Sequence, residues 1–257
     1  MASQHEWFTN EEFWADMFPV MFPEAGFQHA AQQTGEVIKL AGVEKGNVLD
    51  LCCGPGRFAL PLATRGFHVT GVDRTEILLK DARKRAHAAK LQIEWVREDM
   101  RTFVRPNAFD LALNLFSSFG YFDNPDEDLQ VLRNLHASLR PNGALVIDAQ
   151  GKESLAARLQ SVIYDAPAPG LELIQRIEVG DDWTRLYNEW ILIREERVKR
   201  YRFALRIYSG QELRDRLRQA GFSTVALYGD LAGSAYGVRS TRLVAVARKA
   251  ARRSKAK

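Results

Sequence analysis

The sequence predicts an α/β fold, doubly wound, in which helices cover a mainly parallel sheet and an antiparallel segment is inserted. From residue 47 to residue 149, short apolar runs alternate with stretches of helical periodicity, which is typical of parallel strands joined by crossover helices. Residues 171–208 change to a two-residue periodicity, which predicts antiparallel strands with a hairpin turn at 180–182. The 257 residues are 46% hydrophobic and 26% charged, a composition that excludes disordered and fibrous classes.

The N-terminal part, residues 1–46, is predicted to be a helical lid at the entrance of a site. Thr9 followed by Glu12 predicts a capping box for a short helix that Pro19 and Pro23 end. A second helix leads into the first strand. The aromatic side chains of the first helix form a lid over a ligand or pack on the core, and the sequence leaves both alternatives open. These side chains are Trp7, Phe8, Phe13 and Trp14.

Residues 47–150 are predicted to form a binding core. Its apolar runs cover 48–51, 67–73, 92–96, 109–115 and 144–147. Several runs end in a carboxylate or an amide, namely at Asp50, Asp73, Asp99, Asn114 and Asp148. Because ligands of open α/β sheets bind outside the carboxyl ends of the strands, we expect these side chains to converge on one crevice.

The remaining chain divides into three predicted parts. Residues 151–208 form a helix and the antiparallel insertion, which we expect to cover the substrate. Residues 209–247 complete the core with a helix, which begins in a capping box formed by Ser209 and Glu212, and two strands. Residues 248–257 form a basic tail.

The segment 48–57 predicts a strand, a tight glycine loop and the start of a helix. Gly54 and Gly56 allow the backbone to approach a ligand closely, and the helix N-terminus offers free N–H groups. The loop also satisfies a loose dinucleotide fingerprint, so an NAD-dependent oxidoreductase is one alternative. Asp50 argues against a pyrophosphate and favours a ligand ammonium group, and Pro55 removes one backbone donor.

Two further segments favour a nucleoside. Asp73, at the end of the second strand, is placed to accept the hydroxyl groups of a ribose. Asp99 and Met100, after the third strand, offer a carboxylate and a soft apolar side chain for an adenine amino group and ring face. The favoured ligand therefore carries a cation and a nucleoside.

At these residues the sequence resembles the class I S-adenosylmethionine-dependent methyltransferases. The family motif, an acidic residue followed by three alternating glycines, stands here as Asp50-x-Cys52-x-Gly54-x-Gly56, with Cys52 in place of the first glycine. The likeness is strong over residues 47–149. It continues more loosely through 208–213 and 240–243, as in a bacterial subgroup that acts on small molecules. Successive family signatures are also matched at 71–75, 98–101, 114–122 and 139–143.

The resemblance implies S-adenosyl-L-methionine as cofactor, S-adenosyl-L-homocysteine as product and a seven-stranded sheet of order 3-2-1-4-5-7-6 with an antiparallel seventh strand. It places the loop at the methionine end, Asp73 at the ribose, Asp99 and Met100 at the adenine, and 114–116 beside the departing methyl group. The candidate cofactor-binding residues are Asp50, Cys52, Gly54, Gly56, Asp73, Arg74, Asp99, Met100, Asn114, Leu115 and Phe116.

Tyr121 and Trp14 are the candidate catalytic residues, with roles in positioning the acceptor. Tyr121 follows the fourth strand, where an acceptor approaches, although it could equally pack with its aromatic neighbours. No spacing of His, Cys and Asp indicates a metal. His29, His68 and His136 are candidate bases only by residue type.

The charge and the cysteines restrict partners and location. Residues 248–257 carry six basic and no acidic side chains. The whole chain has a net charge of +4, so the net charge of residues 1–247 is −2. This acidic body argues against a nucleic-acid partner. No apolar run is long enough to span a membrane, and adjacent Cys52 and Cys53 form no disulfide framework, so we expect a cytoplasmic protein. The sequence leaves the oligomeric state open.

The sequence thus predicts methyl transfer to a small-molecule acceptor through an O, N or C atom. An RNA methyltransferase is a same-fold alternative, which would use the basic tail and the arginines of the ribbon at 198–208. A noncatalytic sensor of the same cofactor is a third alternative, beside the oxidoreductase.

Overall fold

The computed structural model describes residues 6–252, beginning with a short 3₁₀ helix and two α-helices. The elements are the 3₁₀ helix Trp7–Thr9, α1 (Glu11–Met21) and α2 (Glu24–Ala41). The predicted capping box at Thr9 is wrong, because Thr9 ends the 3₁₀ helix and Asn10 is the cap. The Asn10 side chain accepts hydrogen bonds from the backbone N–H groups of Glu12 (3.0 Å) and Phe13 (3.3 Å).

Pro19 does not end the first helix, since α1 continues to Met21. Proline removes one backbone donor, and the following turn still forms, with the N–H of Phe22 donating to the carbonyl of Phe18 at 2.9 Å. The buried side chains of Phe13, Trp14 and Met17, all of which precede the proline, hold the helix to the core.

The core alternates strands and helices as predicted. Its elements are β1 (Asn47–Leu51), α3 (Ala59–Thr64), β2 (His68–Asp73), α4 (Glu76–Ala88), β3 (Glu94–Arg97), β4 (Phe109–Asn114), α5 (Pro125–Ser138) and β5 (Leu139–Ala149). Two later strands and a helix join this core, namely α7 (Gly210–Gln219), β10 (Thr224–Tyr228) and β11 (Leu243–Arg248). The predicted capping box of α7 is confirmed, with Ser209 and Glu212 each hydrogen-bonded to the other's backbone N–H.

The strands form one seven-stranded sheet of order β10-β11-β5-β4-β1-β2-β3. β11 lies antiparallel to β5 and β10, whereas β5, β4, β1, β2 and β3 pair in parallel. This confirms the expected order 3-2-1-4-5-7-6. Successive residues of β1 serve opposite faces, because Val48 packs with the cluster under α2 and α3, and Leu49 packs with the cluster under α5 and α7.

A second, four-stranded antiparallel sheet, here called the cover sheet, consists of β6 (Val162–Ala168), β7 (Leu171–Gly180), β8 (Arg185–Arg194) and β9 (Arg197–Arg206). It follows α6 (Lys152–Arg158) and confirms the predicted antiparallel insertion. β6 was not predicted, since most of its side chains are exposed and Pro167 interrupts the strand pattern.

The predicted basic tail, residues 248–257, begins inside the seven-stranded sheet, because its first residue is the last residue of β11. Arg248 ends β11 and donates to the carbonyl of Ala41, and the Lys249 ammonium donates to the carbonyl of Leu139 at 2.6 Å. The first two residues of the predicted tail are therefore anchored, and residues 253–257 lie outside the described part. Within residues 6–252, no helix is both long enough and apolar enough to cross a membrane.

Candidate active site

A cavity of about 880 Å³, counting its open mouth, lies at the carboxyl ends of β1, β2 and β4. Most of the predicted site residues line it: Trp14, Asp50, Cys52, Gly54, Asp73, Arg74, Asp99, Met100, Leu115, Phe116 and Tyr121. The structure thus brings together side chains that are distant in the sequence.

The glycine loop forms the floor of the cavity. Cys52, Gly54 and Gly56 all have left-handed backbone torsions, with φ of 62°, 54° and 84°. Cys52 therefore adopts a left-handed backbone conformation of the kind that glycine favours. Gly56 does not line the cavity, because it faces the core, where a Cβ would lie 2.9 Å from the ring of Trp95.

Asp73 ties the loop to the second strand. Its carboxylate accepts hydrogen bonds from the backbone N–H groups of Gly54 and Thr75, both at 2.8 Å. Burial raises the pKa of Asp73, and these two hydrogen bonds oppose the rise. Each carboxylate oxygen keeps a free lone pair, so Asp73 can still accept hydroxyl groups from a ligand.

Asp50 is a buried carboxylate with an unsatisfied oxygen. Its side chain is 4% exposed, and its Oδ2 has no hydrogen-bond partner among the described residues. Burial and the charge of Asp73 raise the pKa of Asp50 to about 7. A ligand cation would stabilise its ionised form. Asn114 lies beneath the wall rather than in it, fully buried, with its Nδ2 donating to the carbonyl of Leu51 and its Oδ1 unpaired.

Asp99 is held by an arginine that the sequence analysis did not single out. Arg101 donates from Nε and Nη2 to the two carboxylate oxygens of Asp99, at 3.0 and 2.8 Å. Burial would raise the pKa of Asp99, but the hydrogen bonds from Arg101 lower it below its usual value. The position of Arg101 two residues after Asp99 was the available signal. Together Asp50, Asp73 and Asp99 form the polar wall.

A second set of lining residues, here called the aromatic wall, consists of Phe8, Trp14, Tyr121 and Phe122. It adjoins the polar wall, because the Arg101 guanidinium that binds Asp99 lies 5.7 and 4.7 Å from the ring centroids of Phe8 and Phe122. Trp14 Nε1 donates to the carbonyl of Phe8 at 2.9 Å, and the rings of Phe8 and Tyr121 stack with centroids 5.8 Å apart. Phe8 and Trp14 line the cavity and are also buried in the core, so the packing alternative holds for both, and the lid stays a prediction.

The cover sheet contributes no side chain to the described cavity wall. That residues 151–208 cover the substrate stays a prediction. It lies one layer behind, where Phe203 packs on Trp7 with centroids 4.6 Å apart, and Trp7 packs on Tyr121 at 4.8 Å. Arg200 and Arg202 of β9 face Glu189 on the outer surface, so they do not reach the cavity.

The loop that carries Tyr121 is fastened to the cover sheet at Gly120. The N–H of Arg206 donates to the carbonyl of Gly120 at 2.6 Å. A Cβ at Gly120 would lie 2.3 Å from the carbonyl oxygen of Arg206, and φ is 98° there, so only glycine permits this approach. The sheet therefore positions Tyr121 through the backbone.

No histidine lines the described cavity, and within residues 6–252 no group of three His, Cys, Asp or Glu could hold a metal. His29 and His68 are exposed, and His136 packs on Phe222 with centroids 5.1 Å apart. Burial raises the pKa of Tyr121, so the phenol stays neutral and acts as a hydrogen-bonding group.

The residues present fit the nucleoside cofactor that the sequence resemblance implies. The unpaired Asp50 oxygen suits an ammonium group, and Asp73 keeps acceptor sites for ribose hydroxyls. Met100 is 6% exposed beside Asp99 in the same wall, where an apolar surface suits a base. A pyrophosphate would lie against the carboxylates of the polar wall, which disfavours a dinucleotide.

Comparisons with known proteins agree with this geometry. A family model described as a methyltransferase domain matches residues 48–143. A putative methyltransferase of Bacillus subtilis, YqeM, is 24% identical over 211 residues, which are 80% of this chain and 85% of that protein.

Two solved structures share the fold. The CcbJ methyltransferase of Streptomyces caelestis has a TM-score of 0.74 and 21% identity, covering 86% of this chain and 95% of its own. CalS10 of Micromonospora echinaspora is an amino pentose methyltransferase whose structure was solved with S-adenosylmethionine bound. It has a TM-score of 0.66 and 22% identity, and the match covers 88% of this chain and 92% of CalS10.

Proposed function

Because the chain belongs to the class I S-adenosylmethionine-dependent methyltransferases, we propose that it methylates a small-molecule acceptor bound against the aromatic wall. The observation that carries the proposal is the division of one cavity into a polar wall and an aromatic wall. The polar wall suits the cofactor, and the aromatic wall suits an acceptor with apolar surface.

The polar wall binds and orients the cofactor. Asp73 accepts the ribose hydroxyls, Asp50 pairs with the ammonium of the methionine end, and Asp99 and Met100 lie at the adenine. Arg74 stands 4.0 Å from Asp99 at the same end. When bound, the cofactor supplies an electrophilic methyl group on a sulfonium. The chain then has to hold the acceptor atom in line with it, which is worth about 7–11 kcal/mol in well-oriented systems.

The aromatic wall excludes water and positions the acceptor. Trp14 and Phe8 close the cavity from the N-terminal side, and Tyr121 offers a neutral hydroxyl. Because no histidine lines the described cavity, an acceptor that reaches the site already deprotonated suits it best. The small-molecule acceptor of CalS10, an amino pentose, supports this class of substrate for the chain.

The proposal is tested by calorimetry and by isotope transfer. The purified protein should bind S-adenosylhomocysteine, and NAD should give no heat of binding. Incubation with methyl-labelled S-adenosylmethionine and a fractionated cell extract should place the label in a small-molecule fraction, which mass spectrometry identifies. Label in RNA would select the RNA methyltransferase, NAD binding would select the oxidoreductase, and cofactor binding without transfer to any fraction would select a sensor.

A further inference from the structure

Arg101 does not line the cavity, but its guanidinium binds three carboxylates from three separate segments of the chain. Its Nε and Nη2 donate to the two oxygens of Asp99, which follows β3. Its Nη1 donates to Glu127 in the first turn of α5 at 2.8 Å and lies 2.7 Å from the carboxylate of Glu6. Glu6 is the N-cap of the 3₁₀ helix that carries Phe8 of the aromatic wall. One guanidinium therefore joins the polar wall to the aromatic wall.

The ring of Phe8 lies close to two arginines that meet at Asp99. Its centroid is 5.7 Å from the guanidinium carbon of Arg101 and 5.2 Å from that of Arg74, so both cations are within the range of cation–π attraction. Nη1 of Arg74 is buried, has no hydrogen-bond partner among the described residues and lies 4.0 Å from Asp99. The position of Phe8 is therefore tied to the two guanidinium groups at Asp99.

The other ion pairs of the N-terminal segment lead elsewhere. Glu12 and Asp16 of α1 pair with Lys199 of the cover sheet at 2.8 and 2.6 Å. Glu11 lies 3.7 Å from the exposed side chain of Arg97. Of the described ion pairs of residues 6–21, only the one between Glu6 and Arg101 involves a side chain that is hydrogen-bonded to a carboxylate of the polar wall.

We propose that Arg101 is a positioning residue that couples cofactor binding at Asp99 to the seating of Phe8 in the aromatic wall. This inference rests on the proposed function. A ligand held at Asp99 fixes this carboxylate, and with it the guanidinium that Glu6 and Phe8 contact. Because coupling between two sites is reciprocal, the seated 3₁₀ helix raises the affinity for the cofactor by the same factor by which the cofactor stabilises the seated helix. The cofactor thereby completes the wall against which the acceptor binds.

Glu6→Gln tests this coupling, because it removes the ion pair and leaves both hydrogen bonds between Arg101 and Asp99 in place. Calorimetry measures the affinity for S-adenosylhomocysteine. Hydrogen exchange with and without this ligand measures the stability of the 3₁₀ helix. The N–H groups of Thr9 and Asn10 report on this helix, since they donate to the carbonyls of Glu6 at 2.8 Å and Trp7 at 3.1 Å.

In wild type, S-adenosylhomocysteine should slow the exchange of these two N–H groups about 2- to 5-fold, as expected for one partly exposed ion pair. In Glu6→Gln, the ligand should no longer slow this exchange. The affinity of the variant for S-adenosylhomocysteine should fall by the same factor, because the coupling is reciprocal.

Glu12→Gln is the matched control. It removes the same charge from the same segment, but its partner is Lys199, which stays paired with Asp16. This variant should keep both the wild-type affinity and the slowing of exchange by the ligand.

Arg101→Lys tests the bridge itself, because lysine keeps the charge but lacks the planar fork that binds Asp99 and Glu6 together. Its affinity for S-adenosylhomocysteine should fall about 10-fold. Glu6→Gln added to Arg101→Lys should cause no further loss, since the link is already broken.

The outcomes separate the two claims. A wild-type protein that does not bind S-adenosylhomocysteine contradicts the proposed function itself. Binding that leaves the exchange of Thr9 and Asn10 unchanged overturns the coupling and leaves the proposed function in place. Equal losses of affinity in Glu6→Gln and Glu12→Gln overturn the coupling as well, because the charge of the segment then explains both. Additive losses from Arg101→Lys and Glu6→Gln also overturn it, since Glu6 then acts without Arg101.

Discussion

The polar wall and the aromatic wall of the cavity are built by different means. In the polar wall, Asp73 and Asp99 are fixed by groups close to them along the chain or on the adjoining strand, such as the N–H of Thr75 and the guanidinium of Arg101. The aromatic wall depends on contacts between distant segments, such as Trp7 on Phe203. The comparison teaches that the polar wall is encoded locally, whereas the aromatic wall is assembled by tertiary packing.

The difference leads to a functional expectation. The polar wall can tolerate changes in the cover sheet, because no residue of β6–β9 contributes to the described cavity wall. The aromatic wall cannot, because Trp7 and Tyr121 rest on that sheet. Substitutions should therefore separate stability and acceptor use from cofactor binding.

The largest effect is expected from Phe13→Ala. Phe13 is 2% exposed and packs against Trp7 and Tyr201, with centroids 5.3 and 5.2 Å away. Removing the ring leaves a cavity between α1 and the cover sheet, so the free energy of unfolding should fall by about 3–5 kcal/mol. Urea denaturation measures this, with exposed Trp183→Ala as a control that changes little. A loss below about 1 kcal/mol would show that α1 is a mobile lid rather than part of the core.

The next largest effect is expected from Asp73→Asn, which tests the polar wall. The amide can replace only one of the two acceptor oxygens that bind the N–H groups of Gly54 and Thr75, and it removes the charge. Affinity for S-adenosylhomocysteine should fall by about 2–3 kcal/mol in calorimetry. Exposed Asp126→Asn should leave it unchanged. If both variants bind like wild type, Asp73 serves the loop alone and not the ligand.

The two walls also differ in how far the sequence predicts them. Strand ends, the glycine loop and the positions of Asp50 and Asp73 follow from patterns within short segments, and the structure brings these residues to one cavity. The sequence could not predict that the cover sheet packs behind the aromatic wall through Trp7, because no local pattern pairs Trp7 with Phe203, which is nearly two hundred residues away along the chain. Predictions from local patterns were wrong where a neighbouring residue could take the same role. Asn10, and not Thr9, caps the first helix.

Asp50→Asn should sharpen the comparison by separating stability from binding in the polar wall. Because the pKa of Asp50 is raised to about 7 in the folded protein, ionisation opposes folding increasingly as pH rises from about 4 through 7. The amide side chain of the variant does not ionise, so at pH 8 the free energy of unfolding of Asp50→Asn should exceed that of wild type by on the order of 2 kcal/mol. Near pH 3 the two proteins should be equally stable.

The same variant should bind S-adenosylhomocysteine more weakly, since the partner of the ammonium is lost. Calorimetry from pH 6 to 8 should show affinity rising with pH for wild type and a flat profile for Asp50→Asn. Coincident stability curves for the two proteins across this range would contradict the burial of an ionised Asp50.

The smallest effect is expected from Tyr201→Phe, which tests the link between the cover sheet and α1. The Tyr201 hydroxyl of β9 donates to the carboxylate of Asp16, which Lys199 also contacts at 2.6 Å. Loss of one hydrogen bond should lower the free energy of unfolding by about 1 kcal/mol, because Lys199 keeps Asp16 paired. The Kd for S-adenosylhomocysteine should not change, whereas the KM for the acceptor should rise a few-fold as the aromatic wall loosens. Exposed Tyr164→Phe is the control, and a Tyr201→Phe variant in which cofactor affinity falls with acceptor KM unchanged would show that the cover sheet supports the polar wall instead.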